Sequence, residues 1–135
     1  MPFVALVVDD SALIRSEIRR CLQARGYAVA TAANGPDALA SLENLQPKLI
    51  VTALTMAKMN GGEFIREVRH RPETADVTIV AVAGRRGRGT PIPRSGADHM
   101  IFKDVDLVEQ LRLVLDEIGL VSEAPVAKSK SPTAR

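Results

Sequence analysis

A chain of 135 residues with 46% hydrophobic content is long enough for one buried core and a short tail. A single cysteine excludes an internal disulfide, and two histidines far apart in sequence offer no imidazole or thiolate metal cluster. The net charge of +2 is modest, aromatics at 3% without Trp argue against a nucleic-acid partner, and no apolar run reaches the roughly eighteen residues of a membrane span.

The opening Met1-Pro2-Phe3 lacks the basic segment and long apolar region of a secretory signal, so a cytoplasmic location is expected. Phe3 to Val8 is a continuous apolar run closed by Asp9-Asp10, the pattern of a strand buried on both faces of a parallel sheet. Ser11 is placed to cap a helix in which Leu13, Ile14, Ile18, Cys21 and Leu22 recur at helical spacing to Arg25, with Gly26 as the stop. Cys21 reads as core filling. Tyr27 to Ala32 is a second strand, and Asn34-Gly35-Pro36 opens a second helix predicted to run to about Leu45. Leu49 to Thr52 is a third strand, followed by a loop through Met59-Asn60-Gly61-Gly62 and a helix carrying Phe64, Ile65 and Val68. Thr78 to Ala83 and the short His99 to Phe102 are the fourth and fifth strands. Leu107, Leu111, Val114, Leu115 and Ile118 make a final amphipathic helix. Met56, Met59 and Met100 read as packing or loop residues, and His70 and His99 as surface or turn residues.

Strands alternating with helices predict an α/β fold, a doubly wound five-stranded parallel sheet. One crossover breaks the pattern. Gly84-Arg85-Arg86-Gly87-Arg88-Gly89-Thr90-Pro91-Ile92-Pro93-Arg94 stands where a fourth helix belongs, and glycine and proline both oppose a helix interior. The helix is expected to be replaced or shortened by an arginine-rich loop. Crowded guanidinium groups repel one another unless an anion or solvent accompanies them. Their forks pair bidentately with phosphate oxygens and with the O6/N7 edge of guanine, so a guanine nucleotide is the first ligand to consider. A solvated surface loop is the competing reading. Residues 122–135, rich in Ser, Ala, Pro and Lys, read as a disordered basic tail, leaving 1–121 as the domain.

Asp9-Asp10-Ser11 after the first strand, Thr52-Ala53-Leu54-Thr55-Met56-Ala57-Lys58-Met59-Asn60-Gly61 after the third, and Gly96-Ala97-Asp98 and Lys103 flanking the fifth resemble the receiver domain of bacterial response regulators, the CheY-like fold. The resemblance covers roughly residues 3 to 119. It implies that Asp9 and Asp10 are the acidic pair that holds Mg²⁺ and that the backbone carbonyl of Thr55 joins the metal. It also implies that Lys103 is the lysine that contacts a phosphoryl oxygen. The phosphoacceptor position is Ala53, whose methyl group has no nucleophilic oxygen, so no catalytic residue is assigned. With one carboxylate gone, Mg²⁺ binding is expected to be weakened or vestigial and Lys103 to salt-bridge the acidic pair. The family's switch hydroxyl falls on Ala83, its switch aromatic on Met100, and two customary prolines on Ala57 and Asp104.

The arginine segment is similar to that of the CheY-like proteins that bind cyclic di-GMP and act on the flagellar motor, the Cle class. That resemblance implies a single-domain, non-enzymatic regulator with cyclic di-GMP as ligand and Arg85, Arg86, Arg88 and Arg94 as the nucleotide-binding residues. Asp98 is placed to accept from guanine N1 and N2, or simply to make the turn into the fifth strand. A protein partner is expected, the flagellar motor switch on the strength of the resemblance. The alternative is a phosphorelay receiver whose acceptor Asp is substituted by Ala53.

Overall fold

The apolar run at residues 4–8 has no polar face, so it is satisfied only inside a sheet covered on both sides. The computed structural model, which describes residues 3–56, 58–84 and 96–119, places it there. The elements in chain order are β1 (Val4–Val8), α1 (Ala12–Ala24), β2 (Ala28–Ala32), α2 (Gly35–Ser41), β3 (Leu49–Ala53), α3 (Gly61–His70), β4 (Thr78–Ala83), β5 (His99–Phe102) and α4 (Leu107–Ile118). The five strands are all parallel and ordered β2-β1-β3-β4-β5. The direction of winding reverses between β1 and β3, which opens a crevice at their carboxyl ends. This is the expected α/β architecture.

Alternation along the strands separates two cores. Leu6 and Val8 of β1, Ile50 of β3 and Ile79 and Ala81 of β4 pack beneath Ala38 of α2 and Phe64, Ile65 and Val68 of α3. Ala5, Val7, Leu49, Val51, Val80, Val82 and Ile101 face the other way, against Ile18 and Leu22 of α1 and Leu107, Leu111 and Leu115 of α4. Each fully buried large side chain contributes about 1.5–3 kcal/mol. Cys21 packs half-buried at the edge of the second core, and Met56, Met59 and Met100 pack against the first, as expected of them.

Side-chain caps set the starts of α1, α2 and α3. Ser11 accepts from Ile14 N at 3.2 Å, and Asn34 accepts from Asp37 N at 2.8 Å. Asn60 and Glu63 form a reciprocal capping box at 2.8 and 3.2 Å. Helix α2 ends at Ser41, short of the predicted Leu45. The amides of Glu43 and Asn44 turn to carbonyls three residues back, Ala40 and Ser41, so the last coil tightens into turns ahead of Pro47. Strand β3 reaches one residue beyond its predicted end, to Ala53, because Ala53 pairs with Val82 of β4. The segment expected to replace the fourth helix lies outside the described residues at 85–95. Among the described residues no helix stands between β4 and β5. The predicted tail at 122–135 also lies outside them.

Candidate functional site at the carboxyl edge of the sheet

The parallel register brings the ends of four strands to one edge. Val8 pairs with Thr52, Ala53 with Val82, and Ala83 with Phe102, so residues 9, 53, 83 and 103 gather there. Asp9 follows β1 with only 1% exposure, held by its amide on Ala32 O at 3.1 Å. Its Oδ1 accepts from Ser11 N at 2.9 Å, and the Arg15 guanidinium donates to its backbone carbonyl at 2.6 Å. Asp10 is exposed. Lys103 follows β5, its amide on Ala83 O at 3.1 Å and its Nζ 3.3 Å from Asp9 Oδ1 and 3.2 Å from Oδ2. The expected ion pair between Lys103 and the acidic turn is therefore made, with Asp9.

Ala53 is 1% exposed at the end of β3. The turn that follows is close-packed. Gly61 opens α3 with its amide on Leu54 O at 2.9 Å, and a Cβ there would sit 2.2 Å from Ala53 O, an approach only glycine permits. Lys58 in the same turn has φ 73°, in the left-handed region. Thr55 is exposed, and the buried Thr52 hydroxyl donates to Ala53 O at 3.1 Å. Ala83 is a 7% exposed methyl with no hydroxyl to reach toward the site.

The receiver resemblance implies Mg²⁺ at this edge, and the oxygens that would hold it are few. Asp9 already faces an ammonium, Asp10 points to solvent, and Ala53 supplies no oxygen. Among the described residues no group of three His, Cys, Asp or Glu converges as a metal site. The set does not fit a divalent ion as three carboxylates would.

Arg85, Arg86, Arg88 and Arg94 lie outside the described residues. Asp98 itself is described. Its Oδ2 accepts from Ile79 N at 2.8 Å and from Arg69 Nη2 at 3.1 Å, and its amide donates to Ile79 O at 2.9 Å. It makes the turn into β5, with 48% of the side chain still exposed.

Arg69 is the residue that sequence reasoning missed. From the last turn of α3 its Nη1 donates to Ala75 O at 2.9 Å and Val77 O at 2.6 Å. Its Nε and Nη2 reach Gly96 O at 3.3 and 3.1 Å. One planar fork thus ties α3 to both the entry of β4 and the residues entering β5, where Gly96 turns at φ 84°. The only sequence signal is a basic residue at a helix C-terminus, which has many other uses.

A cleft of about 490 Å³ lined by Leu42, Asn44, Arg71 and Thr74 lies at the opposite edge of the sheet and has no part in this constellation. Among the described residues no helix is long and apolar enough to cross a membrane.

Known proteins resemble this chain in sequence and fold. An uncharacterized 14.6 kDa protein of Leptolyngbya boryana is 37% identical over 111 residues, 81% of this chain and 85% of its own. The chemotaxis protein CheY of Thermotoga maritima is 29% identical over 99 residues, 73% of this chain and 82% of its own. The structure of the chemotaxis response regulator CheY4 of Vibrio cholerae superposes with a TM-score of 0.76 at 28% identity, covering 87% of this chain and 99% of that one. The chain spans about half the length of other curated relatives, among them transcriptional and response regulators. The model of the response regulator receiver domain matches residues 5–115, so the chain belongs to that family.

Proposed function

We propose that this receiver is set by cyclic di-GMP rather than by an aspartyl phosphate, and that it regulates a protein partner without being an enzyme. The observation that carries the reading is the segment 84–94, in which four arginines alternate with glycine and proline where the family places a helix. A composition that opposes a helix there forgoes core burial, and an anionic ligand is the compensating use that suits guanidinium groups. Cyclic di-GMP offers two phosphates for bidentate pairing and two guanines whose O6/N7 edges and faces arginine recognises. The Asp98 carboxylate follows the segment in sequence and keeps about half of its surface exposed, so it has room to accept from guanine N1 and N2.

The buried Ala53 methyl supports the other half of the proposal, because no donor can phosphorylate it. A ligand held between β4 and β5 acts on the surface formed by β5 and α4, favouring one partner-competent state. Similarity to two chemotaxis proteins supports the flagellar motor switch as that partner. The test replaces Arg85, Arg86, Arg88 and Arg94 by alanine together. Nucleotide binding is expected to vanish while far-ultraviolet circular dichroism is unchanged, and undiminished affinity would sink the reading.

The survival of Asp9, Asp10, Thr55 and Lys103 favours one alternative, a phosphorelay receiver with a substituted acceptor. Phosphoryl labelling of Ala53→Asp by a small donor with Mg²⁺, combined with no nucleotide affinity in the unsubstituted protein, would establish it.

A further inference from the structure

Asp9 is a carboxylate almost wholly removed from water, with 1% exposure. Such a charge requires a counter-charge at short range. Its Oδ2 receives no hydrogen bond of good geometry, yet Lys103 Nζ stands 3.2 Å away. In the family pattern the same edge carries three carboxylates, and a divalent cation together with the lysine balances them. Here Ala53 removes one carboxylate, and Asp10 is solvated. Asp9 alone needs compensation, and one ammonium supplies it. A divalent ion added beside Lys103 would leave the buried edge with excess positive charge and too few oxygens to replace its water shell.

We infer that Lys103 is the resident cation of this site: its ammonium stands against Asp9 in place of a divalent ion, and the chain does not bind Mg²⁺. The Arg15 guanidinium on the Asp9 carbonyl adds a second fixed positive charge at the same turn. Position follows from the charge. The Lys103 backbone is bonded to Ala83 of β4 and its side chain to Asp9 after β1, so the loop from β5 into α4 is tethered with no metal or phosphoryl group taking part.

The experiment is a titration with Mn²⁺ followed by the paramagnetic resonance of the free ion, on the intact protein and on Lys103→Met and Lys103→Gln. Millimolar Mg²⁺ is also added while the ¹⁵N–¹H signal of Ser11, whose amide bonds Asp9, is watched. The intact protein is expected to leave Mn²⁺ free and the Ser11 signal unmoved. Removing the ammonium should tighten Mn²⁺ binding roughly tenfold or more. Submillimolar binding by the intact protein, or variants that bind no better than it, would overturn the inference. The intact-protein arm stands even if a variant folds poorly. No nucleotide is present, so either result leaves the cyclic di-GMP reading untouched.

Discussion

Breaking the Asp9–Lys103 pair is expected to cost more than surface ion pairs do. At 3.2 Å the Coulomb attraction is about 5 kcal/mol at an effective dielectric of about 20. Most of that offsets the desolvation of Asp9, which is 1% exposed, whereas Lys103 keeps 26% of its side chain in solvent. Removing one partner of a fully buried pair costs about 3–5 kcal/mol. Because Lys103 is partly exposed, and Asp9 keeps the Ser11 amide, Lys103→Met is expected to cost roughly 2–3 kcal/mol. Asp9→Asn keeps the shape and the Ser11 bond while releasing the lysine to water, a loss of roughly 1 kcal/mol. In the double variant no charge is stranded, so the two losses should fail to add by roughly 1–2 kcal/mol. Urea denaturation followed by circular dichroism on the four proteins closes this cycle. A Lys103→Met loss below about 0.5 kcal/mol, or additivity within that margin, would refute the reasoning.

Arg69→Ala leaves the carbonyls of Ala75, Val77 and Gly96 without their donor, and is expected to destabilise by about 1–3 kcal/mol with faster hydrogen exchange at residues 96–98. Unchanged exchange there would mean the fork does not hold the entry to β5. Lys58→Gly should stabilise by about 0.5–1 kcal/mol in the same denaturation assay, because φ 73° strains any residue with a Cβ. Burial raises the Cys21 thiol above its ordinary 9.0, with Arg25 and Arg112 opposing, and burial likewise raises the Tyr27 phenol. Both groups fold in neutral form with raised values, so their stabilisation is full at neutral pH and is lost as pH climbs through the folded values, past 9.0 for Cys21 and past 10.0 for Tyr27. Cys21→Ala should flatten that alkaline decline, and iodoacetamide should modify Cys21 more slowly than a free thiol at equal pH.

The strands were legible because each is a short apolar run ended by a polar turn, and Asp9-Asp10 and Lys103 stood out by their place after β1 and β5. The pairing of Lys103 with the acidic turn was legible through the receiver resemblance, which sets that lysine beside Asp9 and Asp10, and the structure gives it to Asp9. The end of α2 was not, because Leu42 and Leu45 continue the apolar spacing while the backbone turns to shorter hydrogen bonds at Glu43 and Asn44. Arg69 was invisible for a different reason. Its partners at Gly96 and Asp98 lie 27 and 29 residues away, and only the packing of α3 against the sheet brings them into reach. In sequence Asp98 suits either a guanine acceptor or a turn residue. The bonds from Ile79 and Arg69 give it the second role and leave the first to experiment.

Calorimetric titration of the purified protein with cyclic di-GMP, with GTP and cyclic di-AMP as controls, tests the central claim most directly. The account predicts saturable binding of cyclic di-GMP alone, micromolar or tighter, about −8 kcal/mol or better. No heat at high nucleotide concentration would contradict it and return the arginine segment to solvated surface.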